Sequence, residues 1–397
     1  MRKSGKIGMG VIGCGSISWL CHFPSIKAIP ELELVAVCDS NEEYARKAAE
    51  KWGAKKWYTD YRKMVENKDL NAVVIASANS VHCEQTIAAA RAGLHVYVEK
   101  PMAVTNKEAW EMVRVCRENN VKLTVGTNQR FWLQHEWAKK LIDDGVIGEV
   151  KFGRSSLHET WHLYQDNVAY SDWRLKPKQA GSATLFDQGS HRVDLLRWLV
   201  GSEAKRVVGV AKRVATPEDV CSLDDLSWVA IEFENGAYGF VTTDKFSPVV
   251  SNITEIYATE GMLFTSSEAT NPFQSVPLAV YTAKDYTWEN YPEILKKYRY
   301  PEEFWVTDLI TRPLEKKWIS ITPPREWSFT RMMKHFLTCF VEDKEPLVTG
   351  EDGAKVMEIL CAVFKSMETN SWVDLPLKEE VVPPHYRPYY EKKKEAK

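Results

Sequence analysis

The chain has 397 residues, 44% of them apolar and 27% charged, with a formal net charge of −2. At about 100–200 residues per domain, that length predicts two or three domains, and the composition excludes wholesale disorder. The balanced charge excludes a chain built mainly to grip nucleic acid or an anionic membrane, and no apolar run reaches the roughly 18 residues of a membrane span.

Residues 6–40 read as strand, glycine turn, helix, strand. The run Ile7 to Ile12 enters Gly13-Cys14-Gly15-Ser16-Ile17-Ser18, and Leu32 to Cys38 ends at Asp39. The alternation continues with helices at Asn41–Trp52, Tyr61–Glu66, His82–Ala92 and Asn106–Asn119, and strands at Ala72–Ala76, His95–Val98 and Lys122–Val125. Continuous apolar strands alternating with amphipathic helices predict an α/β Rossmann-type, doubly wound parallel sheet over residues 1–127. Near Asn128 the rhythm changes. After a helix at Glu136–Asp144 come strands at Val150–Leu157, Arg206–Val214, Ser227–Phe233, Ala237–Thr243, Thr254–Ala258 and Met262–Ser266, with an Asn235-Gly236 hairpin signal. Late helices are expected at Phe329–Glu342 and Glu351–Glu368. Residues 128–376 therefore read as an α+β domain with a large, mostly antiparallel open sheet and helices on one face. The charged tail 377–397 is expected to be solvated or disordered. Eight cysteines without a CxxC read as buried, reduced thiols of a cytoplasmic protein.

The Gly13-x-Gly15 turn lies between a strand and a helix, where bare backbone N–H groups and the positive helix end can hold a pyrophosphate. The third fingerprint position is Ser18, expected to loosen helix–strand packing slightly. Asp39, ending the second strand, would take the adenosine ribose hydroxyls and repel a 2′-phosphate, which favours NAD over NADP. Glu99-Lys100-Pro101 closes a parallel strand at its carboxyl end. Lys100 can donate to a substrate oxygen there and stabilise developing alkoxide charge, although a solvated strand-end lysine fits the tripeptide alone equally well. Asp187-Gln188-Gly189-Ser190-His191 opens a helix, with Asp187 and His191 four apart on one face. Gly189 costs about 1 kcal/mol inside a helix, which a flat ligand against the backbone would explain. A histidine can accept a hydroxyl proton near neutral pH. The alternative is a capping Asp with a structural His. His158-Glu159-Thr160-Trp161-His162 matches the zinc-protease pattern, but it follows a strand-like stretch and is read as a decoy, with no metal site. The polar, aromatic segment carrying Trp161, His162, Tyr164, Trp173 and Arg174 suits a sugar.

Together these pieces resemble the Gfo/Idh/MocA oxidoreductase family. The resemblance rests on Gly13-Cys14-Gly15, Asp39, Tyr58-Thr59-Asp60-Tyr61, Asn79 with His82, Ala92 to Pro101, Trp173-Arg174, Gly181 to Asp194, Tyr257–Gly261 and Val348 to Gly353. It implies an NAD(P)-binding N-terminal domain, a C-terminal sheet used for homodimer or homotetramer contacts, and a sugar, inositol or polyol substrate. By position, Lys100 would polarise the reacting hydroxyl, Asp187 would orient substrate or base, and His191 would be the general base. Ser16, Ile17, Ser77, Asn79, His82, Glu99 and Asn128 would lie near the cofactor, as would Arg174. Two departures stand out: Gly181-Ser182-Ala183 where the family has a glycine run, and Ala78 where it has proline. Two other readings stay open: a lyase or glycosidase that retains NAD and oxidises its sugar transiently, and a cofactor-sensing binding protein. The surplus over the family falls at 284–327 and after 376. The 284–327 insert holds Trp288, Tyr291, Tyr298, Tyr300, Phe304, Trp305, Trp318 and Trp327. Its rings are expected either to pack on their own sheet or to form a subunit arm or lid.

Overall fold

The computed structural model describes residues 5–160, 172–266, 276–299 and 312–395. Its first sheet is built from β1 (Ile7–Ile12), β2 (Leu32–Cys38), β3 (Lys56–Tyr58), β4 (Ala72–Ile75), β5 (His95–Val98) and β6 (Leu123–Val125) in the order β3-β2-β1-β4-β5-β6. Every pairing in it is parallel. Its central strands are buried on both faces, as their unbroken apolar runs require. Strand order reverses on either side of β1, so the carboxyl ends of β1 and β4 diverge and leave a crevice between them.

The second sheet has nine strands. They are β7 (Val150–Thr160), β8 (Ala204–Lys212), β9 (Leu226–Phe233), β10 (Tyr238–Asp244), β11 (Phe246–Ala258), β12 (Gly261–Ser266), β13 (Leu278–Thr282), β14 (Ile319–Ile321) and β15 (Val373–Asp374), in the order β14-β13-β12-β11-β7-β10-β9-β8-β15. All neighbours are antiparallel except β7 and β10, which run parallel. That exception brings the carboxyl ends of β7 and β10 to one edge, pairing Asp244 with His158. The helix Thr184–Val200 packs across β7 and β10, and the helix Gly350–Thr369 spans from it to Asn106–Glu118 of the first sheet's layer. One hydrophobic core runs through both layers.

Two expectations need correction or narrowing. The tail is folded, not solvated: Val381, Tyr386 and Tyr390 are buried, and Arg387–Glu395 is helical. It docks on the first layer, where Val381 N donates to Asn106 Oδ1 (2.9 Å) and Lys393 Nζ to the Ser80 carbonyl (2.8 Å). In the insert, Trp288 stacks on buried Tyr291 and Tyr298 meets Trp137, while β14 extends the sheet edge. These three rings pack with the core, whereas Trp318 and Trp327 are exposed. Tyr300, Phe304 and Trp305 lie outside the described residues.

Candidate active site

The turn after β1 approaches the end of β4 closely. Gly13 has φ +95°, and a Cβ there would fall 2.5 Å from the Ala76 carbonyl oxygen, so only glycine fits. A Cβ on Gly15 would meet nothing within 4 Å, because that Cα faces open groove. Ser18 is a sound replacement at the third position. It is buried, and its hydroxyl donates to the Gly13 carbonyl (2.6 Å), tying the following π-type turn, Ser18–His22, to the loop. Asp39 is fixed at the end of β2 by the N–H groups of Cys14 (2.8 Å) and Asn41 (2.9 Å). Its carboxylate lines a groove with Gly13, Gly15, Asn41, Tyr44 and Thr59.

That groove shares Gly15, Ala76, Ser77 and Trp173 with a deeper cavity. The deeper cavity is lined by Ser16, Ile17, Asn79, Glu99, Lys100, Arg174, Asp187 and His191, among others. One end therefore offers bare backbone and the Asp39 carboxylate, and the other offers titratable side chains. This donor set fits a nicotinamide dinucleotide.

At the inner end, Lys100 Nζ donates to Asp187 Oδ1 (2.5 Å) and to the Asp187 carbonyl (3.1 Å). Lys245 Nζ donates to Asp187 Oδ2 (2.7 Å) and also reaches Glu159. Burial alone would push the Asp187 carboxyl up, but Lys100, Lys245 and Arg174 outweigh it and hold the group well below the usual carboxylate range. Burial, then Lys100 and Arg192, push the His191 imidazole well below its usual value against the opposing pull of Asp187. His191 is thus neutral, and its buried Nδ1 has no hydrogen-bond partner among the described residues. Behind Lys100, Glu99 accepts the Lys100 N–H (3.1 Å), and its other oxygen lies 2.9 Å from His22 Nε2. The Lys100–Pro101 peptide is cis.

Asp187 and His191 share one face because the helix already begins at Thr184. Its start is held by Asp224, a residue the sequence did not single out. Asp224 accepts from Ser182 Oγ (2.6 Å), Ala183 N (2.8 Å) and Leu185 N (2.8 Å). The departure at Ser182 thereby becomes part of a helix cap. Ala78 keeps φ at −73°, close to the value proline would impose.

Several assignments move. Asn128 spends its amide on Ser328 Oγ (2.9 Å), and His82 sits between the Pro101 and Ser77 carbonyls, both at 3.0 Å. Neither lines the cavity; both stand behind its wall. Gly189 lies beside Leu185 and Leu360 and does not line the cavity, and a Cβ there would make only ordinary contacts, so no close approach in the described structure requires glycine at this position. Trp161, His162 and Tyr164 lie outside the described residues. His158 sits on β7 with Nδ1 2.7 Å from Asp244 Oδ2, on a strand as the decoy reading requires. Among the described residues no three His, Cys, Asp or Glu side chains cluster as metal ligands, and no helix is long and apolar enough to cross a membrane.

Lys245 and Glu159 are the site residues that the motifs missed. Lys245 follows β10 of the mostly antiparallel second sheet, where no glycine turn or strand–helix switch flags the position. Glu159 was visible only inside the decoy.

Comparison with known proteins places this geometry. The profile "Oxidoreductase family, NAD-binding Rossmann fold" matches residues 7–127, and "GFO/IDH/MocA C-terminal domain" matches 135–264. A levoglucosan dehydrogenase from Pseudarthrobacter phenanthrenivorans is 28% identical, the alignment covering 94% of this chain and 97% of that protein. A myo-inositol 2-dehydrogenase from Thermotoga maritima is 24% identical over 94% of this chain and 99% of that one. A solved levoglucosan dehydrogenase in complex with NADH and levoglucosan superposes with a TM-score of 0.77 at 25% identity, covering 94% of this chain and 100% of that one.

Proposed function

The chain belongs to the Gfo/Idh/MocA family of oxidoreductases, and from that membership we propose that it is an NAD-dependent dehydrogenase of a sugar, inositol or related polyol. It oxidises a secondary hydroxyl, or reduces the matching ketone. The observation that carries this reading is the convergence of Lys100, Asp187 and His191 on one wall of the deep cavity, at the far end of the groove from Asp39. NAD bound along that groove supplies the hydride acceptor.

The chain's own groups divide the remaining work. Asp187 holds the Lys100 ammonium, which donates to the substrate oxygen and stabilises charge as the C–H bond breaks. Asp187 itself is a poor base, since its two oxygens already accept from two lysines. Neutral His191 accepts the hydroxyl proton in oxidation and returns it in reduction. Trp173 and Arg174 also line the cavity. Lys100→Ala and His191→Ala are each expected to lower kcat by about a hundredfold or more while NADH still binds. Wild-type turnover in either variant contradicts these roles.

The chain also acts as a homo-oligomer in this reading. The outer face of the second sheet exposes Phe152, Tyr238 and Tyr257, with Phe152 and Tyr257 in contact at 5.7 Å. Aromatic surface of this kind suits a subunit interface. Light scattering is expected to give a dimer or tetramer.

A further inference from the structure

Lys245 is a fully enclosed cation beside the site. Its side chain is 0% exposed, and a buried ammonium is tolerated only with anionic partners close by. Among the described residues, carboxylates from two different elements reach it. Asp187 Oδ2 on the helix Thr184–Val200 accepts at 2.7 Å, and Glu159 near the end of β7 accepts as well. Its backbone is equally fixed. Lys245 N donates to the Asp225 carbonyl (2.8 Å), and Asp244 Oδ1 accepts from Ser247 N (2.9 Å) in the turn that follows. Lys245 does not line the cavity. It stands behind Asp187 and meets the oxygen that Lys100 leaves.

We propose that Lys245 is a positioning residue for the reaction, the second arm of a lysine pair that fixes Asp187 and through it Lys100, with Glu159 as the outer counter-charge. This rests on the dehydrogenase reading. The geometry gives a chain of alternating charge: Lys100, Asp187, Lys245, Glu159. A carboxylate held at one oxygen can swing about its bonds; held at both it cannot, and the Lys100 ammonium keeps its aim. A misplacement of about 1 Å at such a site can cost on the order of a hundredfold in rate.

The chain also sets the field at His191. Among the described residues, the charged groups acting on that ring are Lys100 after β5, Lys245 after β10, and Asp187 and Arg192 on its own helix; Arg174 shares the cavity with it, and Glu159 on β7 is linked to it through Lys245. Removing Lys245 takes away a cation, and removing the Glu159 charge takes away an anion. The two variants must therefore move His191 in opposite directions, which a merely structural role would not do.

Lys245→Met is expected to lower kcat by about tenfold to a hundredfold with KM for NAD within about twofold of wild type. It should also raise the acidic limb of kcat/KM by about one pH unit. Glu159→Gln, at a part-exposed position, should lower that limb, and Lys245→Arg should recover most of the lost kcat. An unchanged limb in both variants, or a shift of both in the same direction, overturns the proposal. Should Lys245→Met fail to fold, Glu159→Gln decides alone: a lowered limb supports the proposal and an unmoved one overturns it. Turnover is not required for the reading. The His191 imidazole, followed by NMR in the NADH-bound protein, should titrate higher in Lys245→Met than in wild type. A protein that oxidises no sugar or polyol but shows that shift refutes the substrate assignment and leaves the lysine pair intact.

Discussion

A neutral histidine beside two lysines fixes the pH behaviour of this site. His191 must be unprotonated to accept a proton, and its pKa is pushed well below 6.5 by burial, Lys100 and Arg192. Oxidation is therefore expected to hold its kcat/KM as pH falls through the ordinary histidine range, and to decline only at more acidic pH, where the ring is finally protonated. A limb near 6.5 assigned to His191 would contradict this. At the other end of the groove, Asp39→Ala is expected to weaken NADH binding and narrow its advantage over NADPH. Tighter binding of NADPH than NADH by the wild-type protein would contradict the role given to Asp39. Lys100, Asp187 and His191 were legible in the sequence because a strand end and a four-residue helical spacing each leave a local signature. Lys245 was not. Its bond to Asp187 spans 58 positions and depends on which strands become neighbours.

Elements place these residues through their ends. The helix Thr184–Val200 begins on a cap supplied from afar by Asp224. Asp224→Ala is expected to cost about 1–2 kcal/mol of stability and to lower kcat, because Asp187 lies in the first turn; an unchanged urea midpoint would contradict the cap. The helix Gly350–Thr369 is anchored at its own start by Asp352, which bonds Arg197 Nη1 (2.7 Å) and lies 3.4 Å from Arg130. Burial would raise its carboxyl, but Arg130 and Arg197 outweigh that and lower it to about 2. A depressed carboxylate stabilises the fold above its unfolded pKa of about 3.9. That contribution, about 2 kcal/mol, is lost as pH falls from about 4 towards 2. Asp352→Asn should therefore flatten the acid branch of the stability curve over that window. Alternating apolar strands and amphipathic helices made most elements readable. Gly189 misled because a helical glycine need not mark a ligand: a Cβ there would make only ordinary contacts with Leu185 and Leu360.

At the scale of the whole molecule, two layers meet along a cleft. The first sheet supplies the dinucleotide groove, and the second supplies the helix and strand ends that close its inner wall. The resemblance anticipated this division. The tail defied its composition: it is rich in charge, yet three apolar or aromatic anchors, Val381, Tyr386 and Tyr390, hold it to the first layer. Composition averages over such anchors and hides them. Tyr386→Ala is expected to cost about 3 kcal/mol and lower the urea midpoint without changing kcat; an unmoved midpoint would mean that the tail does not dock in solution. The central claim is net oxidation of a polyol or sugar hydroxyl by NAD. Its most direct measurement is absorbance at the reduced-nicotinamide band while purified protein turns over a panel of sugars, inositols and anhydrosugars with NAD. The account predicts steady NADH accumulation with at least one member, abolished in Lys100→Ala. Substrate consumed with no net NADH would contradict it and point to elimination with the cofactor retained.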